Sequence, residues 1–247
     1  MSGAARGELV VAGLGPGADA LVTPEVAAAL AAASDIVGYA PYVARVAPRE
    51  GLTLHASDNR VEVERATLAL RLAAEGRRVV VVSSGDPGVF AMASALFEAL
   101  EAQPRWQGLD ISILPGITAM LAAAAAAGAP LGHDFCAINL SDNLKPFDLV
   151  LKRIRLAVEG DFAMAFYNPR SRARPQQFGQ VLSILRDTCE PERLVIFARA
   201  VSTPEQRIRT VTLAEAHPEM ADMRTLVIVG SSRTRRLGRF VYTPRSA

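Results

Sequence analysis

Three short stretches hold the residues best suited to ligand chemistry: "SSGDPGVF" (83–90), "LPGITA" (114–119) and "FYNPRSRAR" (166–174). Gly85, Gly88 and Gly116 permit close approach of a ligand to the backbone, and Asp86 offers a carboxylate that accepts hydrogen bonds from hydroxyls or an amine. Arg170 and Arg172 carry guanidinium forks that match carboxylates. A fourth stretch, "LVVAGLGPG" (9–17), has glycines after a strand but departs from a dinucleotide-binding fingerprint. A pyrophosphate needs a helix N-terminus directly after the turn. Here "ADALVTPEV" intervenes, the first helix begins at about Pro24, and Asp35 precedes "IVGYAPYV" rather than ending a second strand. The chain shows no Ser-His-Asp set, and His55, His133 and His217 read as surface or structural residues without motif partners. Cys136 and Cys189 form no ligand-spaced pair, so no metal site is expected.

The elements that must position these stretches follow from the hydrophobic pattern. Strand-like runs "ELVVAGLG", "RRVVVVSSG" and "LDISILPG" alternate with helical stretches at about 24–33, 60–75 and 89–102. Such alternation predicts a parallel sheet flanked by helices. Further strands are expected in "HDFCAINLS", "GDFAMAFYN", "RLVIFARAV", "QRIRTVTL" and "TLVIVGSS", with "VSTPEQ" as a hairpin connection, so a second sheet should be mixed. The fold class is therefore α/β, divided into domains at 1–117 and 118–247, and the chemistry-bearing stretches fall at the carboxyl ends of strands. The basic tail "SSRTRRLGRFVYTPRSA" reads as a solvated terminus.

Composition narrows the function classes. Half of the 247 residues are hydrophobic, which excludes disorder, and the alanine-rich "AMLAAAAAAGAPLG" is too short to span a bilayer, so no membrane partner is expected. A net charge of +2 argues against a broad nucleic-acid footprint. Lys145 and Lys152 are the only lysines; the arginine bias fits a polycarboxylate ligand or, equally, biased codon usage. The two cysteines fit a reducing cytoplasm.

In "GLGPG", "VGYAPYV", "SSGDPGVFAMA", "PGITA", "GAPLGHDFCAINLSD", "GDFAMAFYNPRSR" and "TPR", taken in order along nearly the whole chain, the sequence resembles the tetrapyrrole methyltransferases of the cobalamin pathway. The resemblance implies a two-domain fold with S-adenosyl-L-methionine in a cleft between the domains and S-adenosyl-L-homocysteine as product. It would place the cofactor against Pro16, Ser84, Gly85, Asp86, Val89, Thr118, Ala119, Asn168 and a residue near Ala200. Mostly neutral contacts suit a cationic sulfonium. The implied substrate is an acidic reduced tetrapyrrole, methylated at C-17 with loss of the C-20 carbon from the ring. Arg170, Arg172, Arg45, Arg60 and Arg65 are candidates for its carboxylates, and Tyr39 and Tyr42 for lining the macrocycle. Asp134, Ser141 and Asp142 could position a hydroxyl or exchange a proton. Some relatives carry an aspartate directly after the tyrosine of "GY"; this chain has Ala40 there, and a loop reading "HASDNRVE" follows. A homodimer is the family expectation. A dinucleotide-dependent oxidoreductase and a non-catalytic tetrapyrrole carrier are the rival readings.

Overall fold

The computed structural model describes residues 7–59 and 61–246. Contacts divide the chain into one unit up to Thr118 and a second from Ala119. The first unit runs β1 (Glu8–Gly13), α1 (Pro24–Ala32), β2 (Asp35–Tyr39), α2 (Ala40–Val43), β3 (Thr53–Ser57), α3 (Glu62–Ala74), β4 (Arg78–Ser83), α4 (Met92–Glu101) and β5 (Asp110–Leu114). Its five strands are all parallel, in the order β3-β2-β4-β1-β5.

Period-two alternation builds both faces of this sheet. Leu9, Val11, Val79 and Val81 pack with α3 and α4 residues such as Leu70 and Leu96, whereas Val10, Ala12, Val80 and Val82 pack with Val26 of α1. Thr23 caps α1 by accepting from the Val26 amide, and Pro24 takes the first helical position, where its missing N–H costs nothing. The "DIVGY" segment, to which the pattern assigns no element, forms β2, and the "HAS" that opens the expected loop closes β3. Asp35 therefore begins a strand at the amino edge of the sheet.

The second unit runs α5 (Ala119–Ala127), β6 (Gly128–Ala129), β7 (Phe135–Asn139), α6 (Phe147–Glu159), β8 (Ala163–Tyr167), α7 (Gln177–Thr188), β9 (Leu194–Arg199), β10 (Arg207–Thr212), β11 (Thr225–Val229), β12 (Arg235–Leu237) and β13 (Phe240–Tyr242). Its main sheet has the order β10-β9-β11-β8-β7. The β7-β8 pair is parallel and the other three pairs are antiparallel, which is the mixed sheet expected. Met164, Phe166, Val195, Phe197, Val227 and Val229 face α6 and α7, while Ala165, Ile196, Ala198, Leu226 and Ile228 face the alanines of α5. The solvated-terminus reading of the tail is corrected. β12 and β13 form a hairpin, β13 pairs in parallel with β6, and Val241 is fully buried. Thr243 Oγ1 donates to the Pro130 carbonyl at 2.6 Å, so burial and a satisfied hydroxyl hold the chain down.

Each unit closes the opposite, amino edge of its main sheet with an ion cluster. In the first, Asp35 is 1% exposed and accepts from Ser34 Oγ, His55 Nε2 and Arg77 Nε at 2.7–2.8 Å. Burial alone would raise its pKa, but the hydrogen bonds from His55, Arg77 and Ser34 outweigh that and hold the carboxyl below its ordinary value. In the second, Arg193 is buried and donates to Glu190, Asp161 and the Gly230 carbonyl.

Candidate functional site

The parallel sheet of the first unit brings the ends of β1 and β4 side by side, with Gly13 in register with Ser83. Beyond them Gly15 and Gly85 exchange backbone hydrogen bonds at 3.2 and 2.9 Å, both in the left-handed region with φ of 67° and 62°. A Cβ on Gly116 would lie 2.1 Å from the Gly85 carbonyl oxygen, and one on Gly13 would lie 2.6 Å from the same atom. Gly13 and Gly116 are thus required by backbone packing against backbone.

Asp86 ties the same loops together through its side chain. Its Oδ1 accepts from the Gly88 amide at 2.8 Å and its Oδ2 from the Gly116 amide at 3.1 Å, so the carboxylate clasps "GDPG" to "PGITA". Arg45 sits beneath "GLGPG", donating to the carbonyls of Leu14 at 2.8 Å, Gly17 at 3.1 Å and Gly15 at 3.5 Å. Arg65 is buried and donates to Ser57 Oγ, the Asp58 carbonyl and Met92 Sδ, and Arg60 lies outside the described residues. Pro16, Ser84 and Val89 are half-buried on this edge, and Thr118 is 6% exposed.

Tyr39 ends β2 on the same edge and meets Tyr42 edge to face at 5.3 Å. Burial pushes the Tyr42 phenol pKa up, against a hydrogen bond with Ser84 and the fields of Arg65 and Arg45, which lower it. Tyr42 is therefore a neutral hydroxyl near pH 7.

In the second unit β8 and β9 both run antiparallel to β11, so their carboxyl ends share an edge with the end of β7 and the start of β11. Asn168 follows β8 with φ of 51° and Ala200 follows β9 with φ of 48°, a conformation that side chains rarely adopt. Asn168 Nδ2 donates to Asn139 Oδ1, which also accepts from the Ser141 amide. The Ala200 amide donates to the Arg224 carbonyl at 2.8 Å. Arg174, 8% exposed, donates to the Asn168 carbonyl at 3.1 Å and faces Asp142 at 3.9 Å, which accepts from Gln177. The Tyr167 hydroxyl accepts from the Met120 amide next to Ala119 at the start of α5.

Of the sequence candidates in this unit, Ala119, Ser141, Asp142, Asn168, Arg170, Arg172 and Ala200 meet on or beside this edge. Asp134 does not, because it precedes β7 at the opposite edge, where it is exposed beside His133. Residues that motif reading passed over also reach the edge. Asp222, Met223 and Arg224 arrive through the start of β11, and Lys145 lies in the loop after β7, its pKa pushed down by burial and by Arg153. Both thiols are half-buried with pKa values raised by burial, Cys189 additionally with Arg193 and Thr188 acting against it. Among the described residues, no group of three or more His, Cys, Asp and Glu could hold a metal ion, and no helix is long and apolar enough to cross a membrane.

Residues 8–217 match the model of the tetrapyrrole (corrin/porphyrin) methylases. A precorrin-3B C(17)-methyltransferase of Sinorhizobium sp is 51% identical, covering 97% of this chain and 96% of its own. A probable cobalt-factor III C(17)-methyltransferase of Salmonella typhimurium is 37% identical, covering 96% and 98%. The crystal structure of the methyltransferase CobJ superposes with a TM-score of 0.95 at 75% identity, covering 96% of this chain and all of that one. A uroporphyrin-III C-methyl transferase from Thermus thermophilus, complexed with S-adenosyl homocysteine, shares the fold at a TM-score of 0.69 and 22% identity, covering 91% and 97%.

Proposed function

The chain belongs to the tetrapyrrole (corrin/porphyrin) methylase family as an S-adenosylmethionine-dependent C-methyltransferase, and on that premise we propose that it methylates precorrin-3B at C-17 with ring contraction to precorrin-4 in cobalamin biosynthesis. The near full-length likeness to the Sinorhizobium enzyme carries the substrate assignment. The strand-end loops add physical support. On the first unit's edge Asp86 is committed to backbone amides, and Arg45 to backbone carbonyls and the Asp19 carboxylate, which leaves Pro16, Ser84 and Val89 as uncharged contact groups. Such a surface fits a nucleoside donor that has no phosphate and bears a positive sulfur.

The donor, when bound, supplies an electrophilic methyl group, so the protein's task is orientation. Holding two reactants in line is worth roughly 7–11 kcal/mol of barrier. In this proposal Ser84, Gly85, Asp86, Val89 and Thr118 of the first unit, and Ala119, Asn168 and Ala200 of the second, all serve the donor. Tyr39 and Tyr42 face the macrocycle, where the neutral Tyr42 hydroxyl can donate a hydrogen bond. Arg170 and Arg172 take acidic side arms. The proposal includes a cytoplasmic homodimer, supported by the family likeness and checked by sedimentation equilibrium.

Incubation of precorrin-3B with methyl-labelled S-adenosylmethionine tests the reading. The expected product carries one labelled methyl group and a contracted ring, read by mass spectrometry and NMR. Turnover of the cobalt-bearing counterpart alone would move the assignment to that substrate. Unchanged tetrapyrrole in both cases would leave only a carrier.

A further inference from the structure

The turn after β8 and the turn entering β11 enclose a concavity of about 400 Å³. We infer that it is a subsite for carboxylate arms, with Arg224 a recognition residue beside Arg170 and Arg172. The methyltransferase reading supplies only the identity of the arms, as those of the substrate; the lining itself argues for carboxylates.

The lining holds three guanidinium groups and one carboxylate, Asp222. That carboxylate is already committed, accepting from Arg199 Nε and Thr225 Oγ1 at 2.7 Å and from the Arg224 amide at 2.9 Å. Burial would raise its pKa, but the hydrogen bonds from Thr225 and Arg199 prevail and hold it below the ordinary range, so it stays an anionic brace. The three cations are differently placed. Arg172 has no hydrogen-bond or ion-pair partner among the described residues, and Arg170 donates only through Nε, to the Pro175 carbonyl at 3.3 Å. Arg224 pairs with Glu205 at 2.8 Å, but both side chains are more than half exposed, and an exposed pair of this kind contributes little and yields to a better acceptor. Met223, 52% exposed, adds an apolar contact for the methylenes of an arm. Planar forks free to bind in bidentate fashion select carboxylates over neutral groups.

The test uses uroporphyrin, a stable tetrapyrrole octacarboxylate, and its octamethyl ester, titrated by fluorescence into the full chain. The acid should bind and the ester should not, and affinity should fall as salt rises. Arg172→Gln and Arg224→Gln should each weaken acid binding roughly tenfold, as loss of one charge-assisted hydrogen bond does, with thermal midpoint and S-adenosylhomocysteine affinity unchanged. Glu205→Gln should bind the acid at least as tightly as the parent, and Arg233→Gln, a charge control on the tail, should leave it unaltered. Equal binding of acid and ester, or parental affinity in the Arg172→Gln/Arg224→Gln double variant, overturns the subsite. Failure of the parent to bind S-adenosylhomocysteine would instead overturn the methyltransferase reading and leave the porphyrin result standing.

Discussion

The two units solve the same problem, fixing loops at one sheet edge, with different materials. In the first, glycine backbones touch directly at Gly13, Gly85 and Gly116, and the side chains that reach them bind mainly backbone groups, Asp86 two amides and Arg45 three carbonyls, with an ion pair from Arg45 to the exposed Asp19 at 3.8 Å. In the second, Asn139, Asn168 and Arg174 make a side-chain lattice, three non-glycine residues, Asn168, Ala200 and Ser202, are held at positive φ, and arginines are left over at the rim. A backbone-built edge is rigid, suited to a ligand read by shape. A side-chain-built edge keeps charge to spare, suited to acidic arms.

The amino edges invert the pattern. The first unit centres its ion cluster on a buried anion, Asp35, and the second on a buried cation, Arg193.

The sharpest break in the comparison is Gly116→Ala. The new methyl group would lie 2.1 Å from the Gly85 carbonyl oxygen and 2.7 Å from that of Gly13, both backbone atoms that cannot swing aside. Overpacking of this kind costs roughly 3 kcal/mol, and S-adenosylhomocysteine binding should be abolished in calorimetry. Gly88→Ala is the contrast, since its nearest neighbour is the Asp86 side chain at 3.2 Å; retained binding there alongside retained binding in Gly116→Ala would refute the backbone-built account.

Asp35→Asn comes next, at about 2 kcal/mol near neutral pH, because removing one partner of a buried ion pair strands the other and the cations here are partly exposed. The folded carboxyl pKa lies below the unfolded value of about 3.9. Its stabilisation is therefore complete above that unfolded value and is lost as pH falls through the folded one. Parent and variant should converge in thermal midpoint towards acid; a constant gap at all pH values would deny Asp35 its charge.

How far the sequence discloses these regions depends on burial. β1 and β4 are legible because buried parallel strands are continuous apolar runs, as in "VVVV". β3 is not, since an edge strand with exposed Thr53, Leu54 and Ala56 shows no core alternation. β13 hides because Val241 alone is fully buried in a three-residue strand flanked by arginines. The rule that ligands gather at carboxyl ends of strands points to Ser84, Asn168 and Ala200, but not to Asp222 and Arg224, which lie on the same edge as Asn168 and Ala200. An antiparallel strand delivers its amino end to that edge, and the order β9-β11-β8 cannot be read from local pattern. Asp134 shows the complementary case, preceding β7 and so lying at the opposite end of a strand whose carboxyl end is on that edge.

Asp86→Asn probes the clasp more gently. One amide oxygen can still accept a backbone N–H, but the amide nitrogen then faces the second donor, and an unmade hydrogen bond costs about 1–3 kcal/mol. Donor affinity should drop roughly tenfold while circular dichroism stays native. Arg45→Lys should act in the same direction, because an ammonium cannot span the carbonyls of Leu14, Gly15 and Gly17 as the planar fork does. If either change altered turnover but not donor affinity, the loops would be serving something other than the donor.

The smallest effect is the most diagnostic of the second unit. Ala200 is 7% exposed and sits at φ of 48°, where glycine escapes the Cβ clash that an alanine bears. Ala200→Gly relieves that strain but enlarges the entropy of the unfolded chain, so the two terms oppose and the net change should stay within about 1 kcal/mol. Function separates them. If the methyl group merely fills space, stability moves slightly and donor affinity does not. If the strained turn exists to present the Ala200 backbone, the glycine variant keeps its fold but samples other conformations, and affinity falls severalfold with little change in thermal midpoint. The second outcome is expected, because the Ala200 amide is tied to the Arg224 carbonyl and couples the donor loop to the arginine-lined turn.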